Sequence, residues 1–193
     1  MSSSYLLKPF ESEIKYPPLD RFPKNKNFSI PLWKPDQPQK CREIVLMLNG
    51  FMDGVTNDPR RREMFLIRYQ LIAENLKSSN IAAALMPLPF HFMRSDDIEG
   101  HAPIVRLSEH GSYLYYGGYD QVIADVKKLI SEIKENPDRF GLNVPGEEVK
   151  FHLLGYSLGG VAAMGAAMQL EDHQFESLTV LLSAWNISEI DPK

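Results

Sequence analysis

From Lys40 onward, short runs of apolar residues alternate with longer stretches in which apolar positions recur every three or four residues. The runs are Glu43–Leu48 (EIVLML), Ile81–Leu88 (IAAALMPL), Val149–Leu154 (VKFHLL) and Leu178–Trp185 (LTVLLSAW). Most do not alternate apolar with polar, which suits strands buried on both faces of a parallel sheet. The stretches between them predict helices. One covers about 60–77, with Asp58 as N-cap, Pro59 at the first helical position, and Met64, Phe65, Ile67, Leu71, Ile72 and Leu76 at helical spacing. A second covers about 119–135, with Val122, Ile123, Val126, Leu129, Ile130 and Ile133 on one stripe. A third, rich in Ala, Gly and Met, covers about 158–170. Strands alternating with helices predict an α/β fold, a mostly parallel sheet between two helical layers.

Two regions break this rhythm. Seven of the 14 prolines fall within residues 1–38. Proline lacks the donor that a central strand or helix interior needs. Residues 1–40 therefore read as an irregular, Pro-rich arm or edge hairpin. Residues 87–118 form an insertion carrying His91, His101, His110 and the Gly117-Gly118 pair. A loop that long inside a compact domain suggests a lid or a substrate-facing element.

The chain has 193 residues, 44% of them hydrophobic, which is enough for one domain with a real core. A net charge of −4 gives no sign of a nucleic-acid partner. The single cysteine, Cys41, excludes an internal disulfide and suits a reducing, cytoplasmic setting. No signal peptide and no transmembrane span is read in the sequence. The histidines lack helical pairing, so no metal site is expected, and no dinucleotide or Walker motif suggests a cofactor.

The chemistry centres on Gly155-Tyr156-Ser157-Leu158-Gly159-Gly160, which matches G-x-S-x-G. By composition alone such a pentapeptide turns up about once in 15 chains of this length. Its context carries more weight: a buried-strand run precedes it and a helix of small residues follows. A nucleophilic serine must protrude from a tight strand-to-helix turn, so its neighbours must be glycine. The helix start supplies N–H groups and partial positive charge, with Leu158 N–H as one oxyanion donor. A second glycine turn, Leu48-Asn49-Gly50-Phe51-Met52-Asp53-Gly54, directly follows the first strong strand.

With these two motifs, residues 42–185 resemble the α/β-hydrolase superfamily, in particular its serine esterases and lipases. That family typically has His-Gly after its third strand, and the next residue completes the oxyanion hole. Here Asn49 stands in the histidine's place, and Asn can hold such a turn by bonding to backbone. The resemblance implies Phe51 as second oxyanion donor, with Met52 the alternative. It also implies substrate-facing residues in the segment Met86–Arg94 (MPLPFHFMR).

The family order is serine, acid, histidine, and the last two follow strands that this chain does not reach. The resemblance is thus to the N-terminal portion, a truncated α/β-hydrolase fold over residues 1–193. His173 lies beyond the helix that starts at the elbow, about 20 Å from Ser157, whereas a general base must come within about 3 Å. His152 reads as a core histidine. Among His91, His101 and His110, His91 is the best placed to reach Ser157. Glu189 and Asp191 stand where some members carry their acid, but as terminal residues they read as solvated.

The expected activity is hydrolysis of a carboxylic ester or related acyl substrate by Ser157, without cofactor. The competing expectation is a catalytically inactive hydrolase-like module that binds a small molecule or a protein. The apolar run 178–185 would form a free sheet edge, through which the chain would self-associate.

Overall fold

The computed structural model describes residues 5–13, 23–50, 59–89, 91–94, 119–170 and 175–181. Among these residues six strands form one sheet: β1 (Leu6–Glu11), β2 (Asn27–Trp33), β3 (Glu43–Leu48), β4 (Ile81–Met86), β5 (Lys150–Tyr156) and β6 (Phe175–Leu181). Their order in the sheet is β1-β2-β4-β3-β5-β6. The four strands from β4 to β6 are parallel, and β1 and β2 add an antiparallel hairpin beyond β4. The helices are α1 (Pro23–Lys26), α2 (Pro59–Ser78), α3 (Tyr119–Glu135) and α4 (Leu158–Gln169).

The prolines of β1 and β2 sit where a missing donor costs little. Pro9 lies on the outermost strand β1. Pro31 lies on β2, beyond the Leu32 and Trp33 positions that pair with β4. β4 ends at Met86, before Pro87 and Leu88, because proline cannot continue the ladder. The last strand runs over Phe175–Leu181, three residues earlier at its start than the apolar run suggested. Residues 182–185 of that run lie outside the described residues, as do 95–118 of the expected lid.

Two cores cover the two faces of the sheet. On one, Val122, Val126, Leu129, Ile130 and Ile133 of α3 and Ala162, Ala163 and Ala166 of α4 pack on Ile44, Leu46, Leu48, Phe151 and Leu153. On the other, Leu66, Tyr69 and Ala73 of α2 pack on Val45, Met47, Ala83 and Leu85. Odd and even positions of β3 therefore feed different cores, as a strand's period of two requires. The α3 stripe is the one its spacing predicts. The α2 stripe differs: Leu66, Tyr69 and Ala73 face inward, while Met64, Ile67 and Leu71 are exposed. Apolar residues lie on both sides of this helix, so spacing alone does not choose between them.

The register brings the carboxyl ends of three strands level, because Leu48 lies opposite both Met86 and Gly155. The segments that leave β3, β4 and β5 consequently meet at one end of the sheet. In open α/β sheets this is where ligands bind.

Candidate active site at the carboxyl ends of the strands

Ser157 stands between β5 and α4 with φ 52° and ψ −117°. A side chain in that region costs about 1–3 kcal/mol, and surrounding structure must hold it there. Three contacts do so. Ser157 N–H donates to Leu181 O at 2.8 Å, and Gly160 N–H donates to Ser157 O at 2.9 Å. From the α2 side, the Arg68 guanidinium stacks over the Tyr156 ring at 4.3 Å.

The flanking glycines are required by distance. A Cβ on Gly155 would lie 2.4 Å from Gly159 O. A Cβ on Gly159 would lie 2.3 Å from Leu48 O and 2.5 Å from Asn49 O. The first turn of α4 therefore rests directly on the backbone that leaves β3. Leu158 opens that helix, where the first N–H groups have no acceptor within the helix. Its side chain is buried, whereas Ser157 is only partly covered.

Asn49 ties the segments that follow β3 and β4 together. It is fully buried; its Oδ1 accepts from Leu88 N–H at 2.8 Å and its Nδ2 donates to Gly50 O at 2.8 Å. Gly50 N–H donates to the Tyr69 hydroxyl at 3.3 Å. Tyr69 in turn meets the Phe92 ring edge-on, with centroids 6.0 Å apart. Phe51 and Met52, expected next along this turn, lie outside the described residues.

His91 is fully buried, with Nδ1 2.7 Å from Pro89 O. A carbonyl only accepts, so Nδ1 carries the proton and Nε2 is the basic nitrogen. His101, His110, His173, Glu189 and Asp191 lie outside the described residues. His152 is not a core histidine. It sits on β5 at the opposite end of the strand from Ser157, partly exposed, between Glu43 and Ser177. A histidine two residues into a strand is near its open end, which the apolar run around it conceals.

Sequence reasoning missed the polar cluster behind this site. Arg94 and Asp125 form an ion pair at 2.7 Å, with side chains 0% and 1% exposed. Arg94 also donates to Pro87 O at 3.2 Å and Asn25 O at 2.9 Å, and its cation lies 4.3 Å over the Phe28 ring. Asp125 accepts from Ser12 Oγ at 2.5 Å and from Gln121 Nε2 at 3.0 Å. Burial pushes the Arg94 pKa down from its usual value, and Asp125 opposes that by stabilising the cation. The cluster fastens the segment after β4 to α3 and to the N-terminal arm. One signal was present: Asp125 interrupts the apolar stripe of α3, and a carboxylate on a buried face needs a partner.

Among the described residues, no group of three or more His, Cys, Asp or Glu could hold a metal, and no helix is long and apolar enough to cross a membrane. Cys41 is buried, its thiol donates to Glu43 O at 3.3 Å, and burial pushes its pKa up.

No protein-family model matches the chain, and no curated protein matches it. Solved structures do. A thermostable carboxyl esterase from Bacillus coagulans is 16% identical, with a TM-score of 0.55, over 93% of this chain and 44% of that one. A dienelactone hydrolase from Anabaena variabilis is 16% identical, TM-score 0.53, over 92% of this chain and 63% of that one. A lidless serine α/β-hydrolase from Xanthomonas campestris is 9% identical, TM-score 0.55, over 100% of this chain and 68% of that one. The chain therefore has the α/β-hydrolase fold, and it spans about half to two thirds of the length of these neighbours.

Proposed function

We propose that the chain carries the nucleophile of a serine hydrolase acting on a carboxylic ester or related acyl substrate, with Ser157 as the attacking residue. The observation that carries this reading is the Ser157 backbone, φ 52°, on a turn whose flanking glycines admit no side chain. Such strain is stored where a side chain must be presented. Leu158 N–H, at the start of α4, is one oxyanion donor in this reading, and Phe51 N–H is the second, with Met52 its alternative. His91 is the base candidate among the described residues, acting through Nε2. No cofactor takes part. The buried thiol of Cys41 suits a reducing, cytoplasmic setting.

A fluorophosphonate probe followed by peptide mass analysis tests this directly. Labelling at Ser157, lost in Ser157→Ala, is the expected result. A folded protein left unlabelled at Ser157 overturns the reading and leaves a binding module on a hydrolase fold.

Self-association belongs to the same reading. Among the described residues β6 ends the sheet, and Leu178 and Leu181 on it are each 42% exposed. An apolar edge strand pairs readily with another copy. Light scattering should give a mass above the 22.0 kDa of one chain; a clean monomer contradicts it.

A further inference from the structure

Glu43, His152 and Ser177 form a second array, at the other end of the sheet and on the α2 face. Its existence depends on one irregularity. β5 and β6 pair as Phe151 with Phe175 and then His152 with Ser177, so Glu176 has no partner on β5. A one-residue shift moves every later side chain to the opposite face. Without it His152 would pair with Glu176, and Ser177 would point to the α4 side. The bulge therefore brings Ser177 beside His152. Bulges commonly re-aim a side chain in this way next to functional sites.

The hydrogen bonds fix the chemistry of the imidazole. His152 Nε2 lies 3.1 Å from Glu43 Oε2, and Nδ1 lies 2.8 Å from Ser177 Oγ. A carboxylate only accepts, so Nε2 carries the proton. With one proton on the ring, the lone pair is on Nδ1, facing the Ser177 hydroxyl. Nucleophile, base and orienting acid are thus connected in sequence, the arrangement that activates a serine.

A cavity of about 210 Å³ adjoins them, with Val45, Ile72, Leu76, Ile81 and Leu154 as apolar lining and Ser177 and Thr179 as polar wall. Its volume suits a short acyl chain rather than a drug-sized ligand.

We infer that Ser177 is a second, independent acyl acceptor, with His152 as its base, Glu43 as the orienting acid and the cavity receiving the short acyl chain of an activated ester. Ser177 Oγ bonds to the ester carbonyl carbon while its proton passes to His152 Nδ1. The ester C–O bond then breaks, and the leaving alkoxide takes that proton and departs as the alcohol. The product is acyl-Ser177. This inference does not rest on the role of Ser157.

The test uses the Ser157→Ala protein, with circular dichroism confirming its fold. It is treated with p-nitrophenyl acetate, butyrate and octanoate, and the modified peptide is located by mass analysis. The expected result is acylation at Ser177, with butyrate faster than octanoate. Ser157→Ala/Ser177→Ala should lose it. Ser157→Ala/His152→Gln should slow it by roughly 100-fold, the usual contribution of a general base, and Ser157→Ala/Glu43→Gln should slow it less. An unmodified Ser177 in folded Ser157→Ala, or an unchanged rate with His152→Gln, overturns the inference and makes the trio a cross-strand clasp only. Labelling at Ser157 in the unmutated chain is read separately, so either serine can fail without the other.

Discussion

Two serines, one just after β5 and one on the adjoining β6, are prepared in opposite ways. Ser157 is presented by backbone: positive φ, glycines on both sides and a helix start behind it. Among the described residues, no side chain hydrogen-bonds its hydroxyl. Ser177 lies within a strand and is engaged by side chains, a histidine at 2.8 Å backed by a carboxylate. The first arrangement stores energy in the chain; the second is assembled from groups that each retain solvent contact. The difference teaches where each is vulnerable. A backbone-built site fails when a single methyl is added nearby, whereas a side-chain-built site fails when a functional group is removed.

The sharpest test of that contrast is to remove support from behind the Ser157 end of the sheet. Arg94→Ala leaves the buried Asp125 carboxyl without its ion-pair partner. Unfolding by urea should show a loss of about 3–5 kcal/mol, whereas Arg94→Met with Asp125→Leu should recover most of it. Next in size are the glycines. Gly159→Ala puts a methyl 2.3 Å from Leu48 O, which has no flexible side chain to yield. It should cost about 1–3 kcal/mol or more in the same assay, and reduce fluorophosphonate labelling at Ser157. Asn49→Ala strands the buried Leu88 N–H and should cost about 1–3 kcal/mol. Ser157→Gly works the other way. Glycine accepts the backbone conformation without strain, so stability should rise by about 1 kcal/mol while labelling disappears. The smallest effect is expected at the second serine. Glu43 and His152 are partly exposed, so Glu43→Gln should change stability by less than about 1 kcal/mol.

The same contrast explains what the sequence made legible. Backbone requirements leave a mark on composition. Glycines around Ser157, an asparagine after β3, prolines in the arm and apolar runs in the strands each constrain a local conformation, and all are readable in order along the chain. The sheet and the glycine-flanked turn at Ser157 were therefore readable along the chain. Side-chain encounters leave no such mark. Ser12 and Asp125 are 113 positions apart in sequence, and His152 and Glu43 are 109 apart. The β6 bulge is equally silent, since Glu176 in a strand looks like any solvent-facing residue. α2 misled for a related reason: with apolar groups on both sides, only the packed sheet decides that Leu66 and Tyr69 go in and that Met64, Ile67 and Leu71 stay out.

The buried Arg94–Asp125 cluster also bears on how the molecule is made. The β1–β2 hairpin is local and can pair early, yet it joins β4 through only Leu32 and Trp33. A further hold comes from Ser12, Asn25, Arg94 and Asp125 closing on one another. On a ribosome adding about 5–20 residues per second, the residues between Ser12 and Asp125 take on the order of 6–20 seconds to emerge. Arg94 emerges earlier and can meet Asn25, but until Asp125 emerges Ser12 has no carboxylate to dock on. The hairpin, made before the other described elements, is thus among the last of them to lock, and its polar anchor is incomplete until α3 arrives.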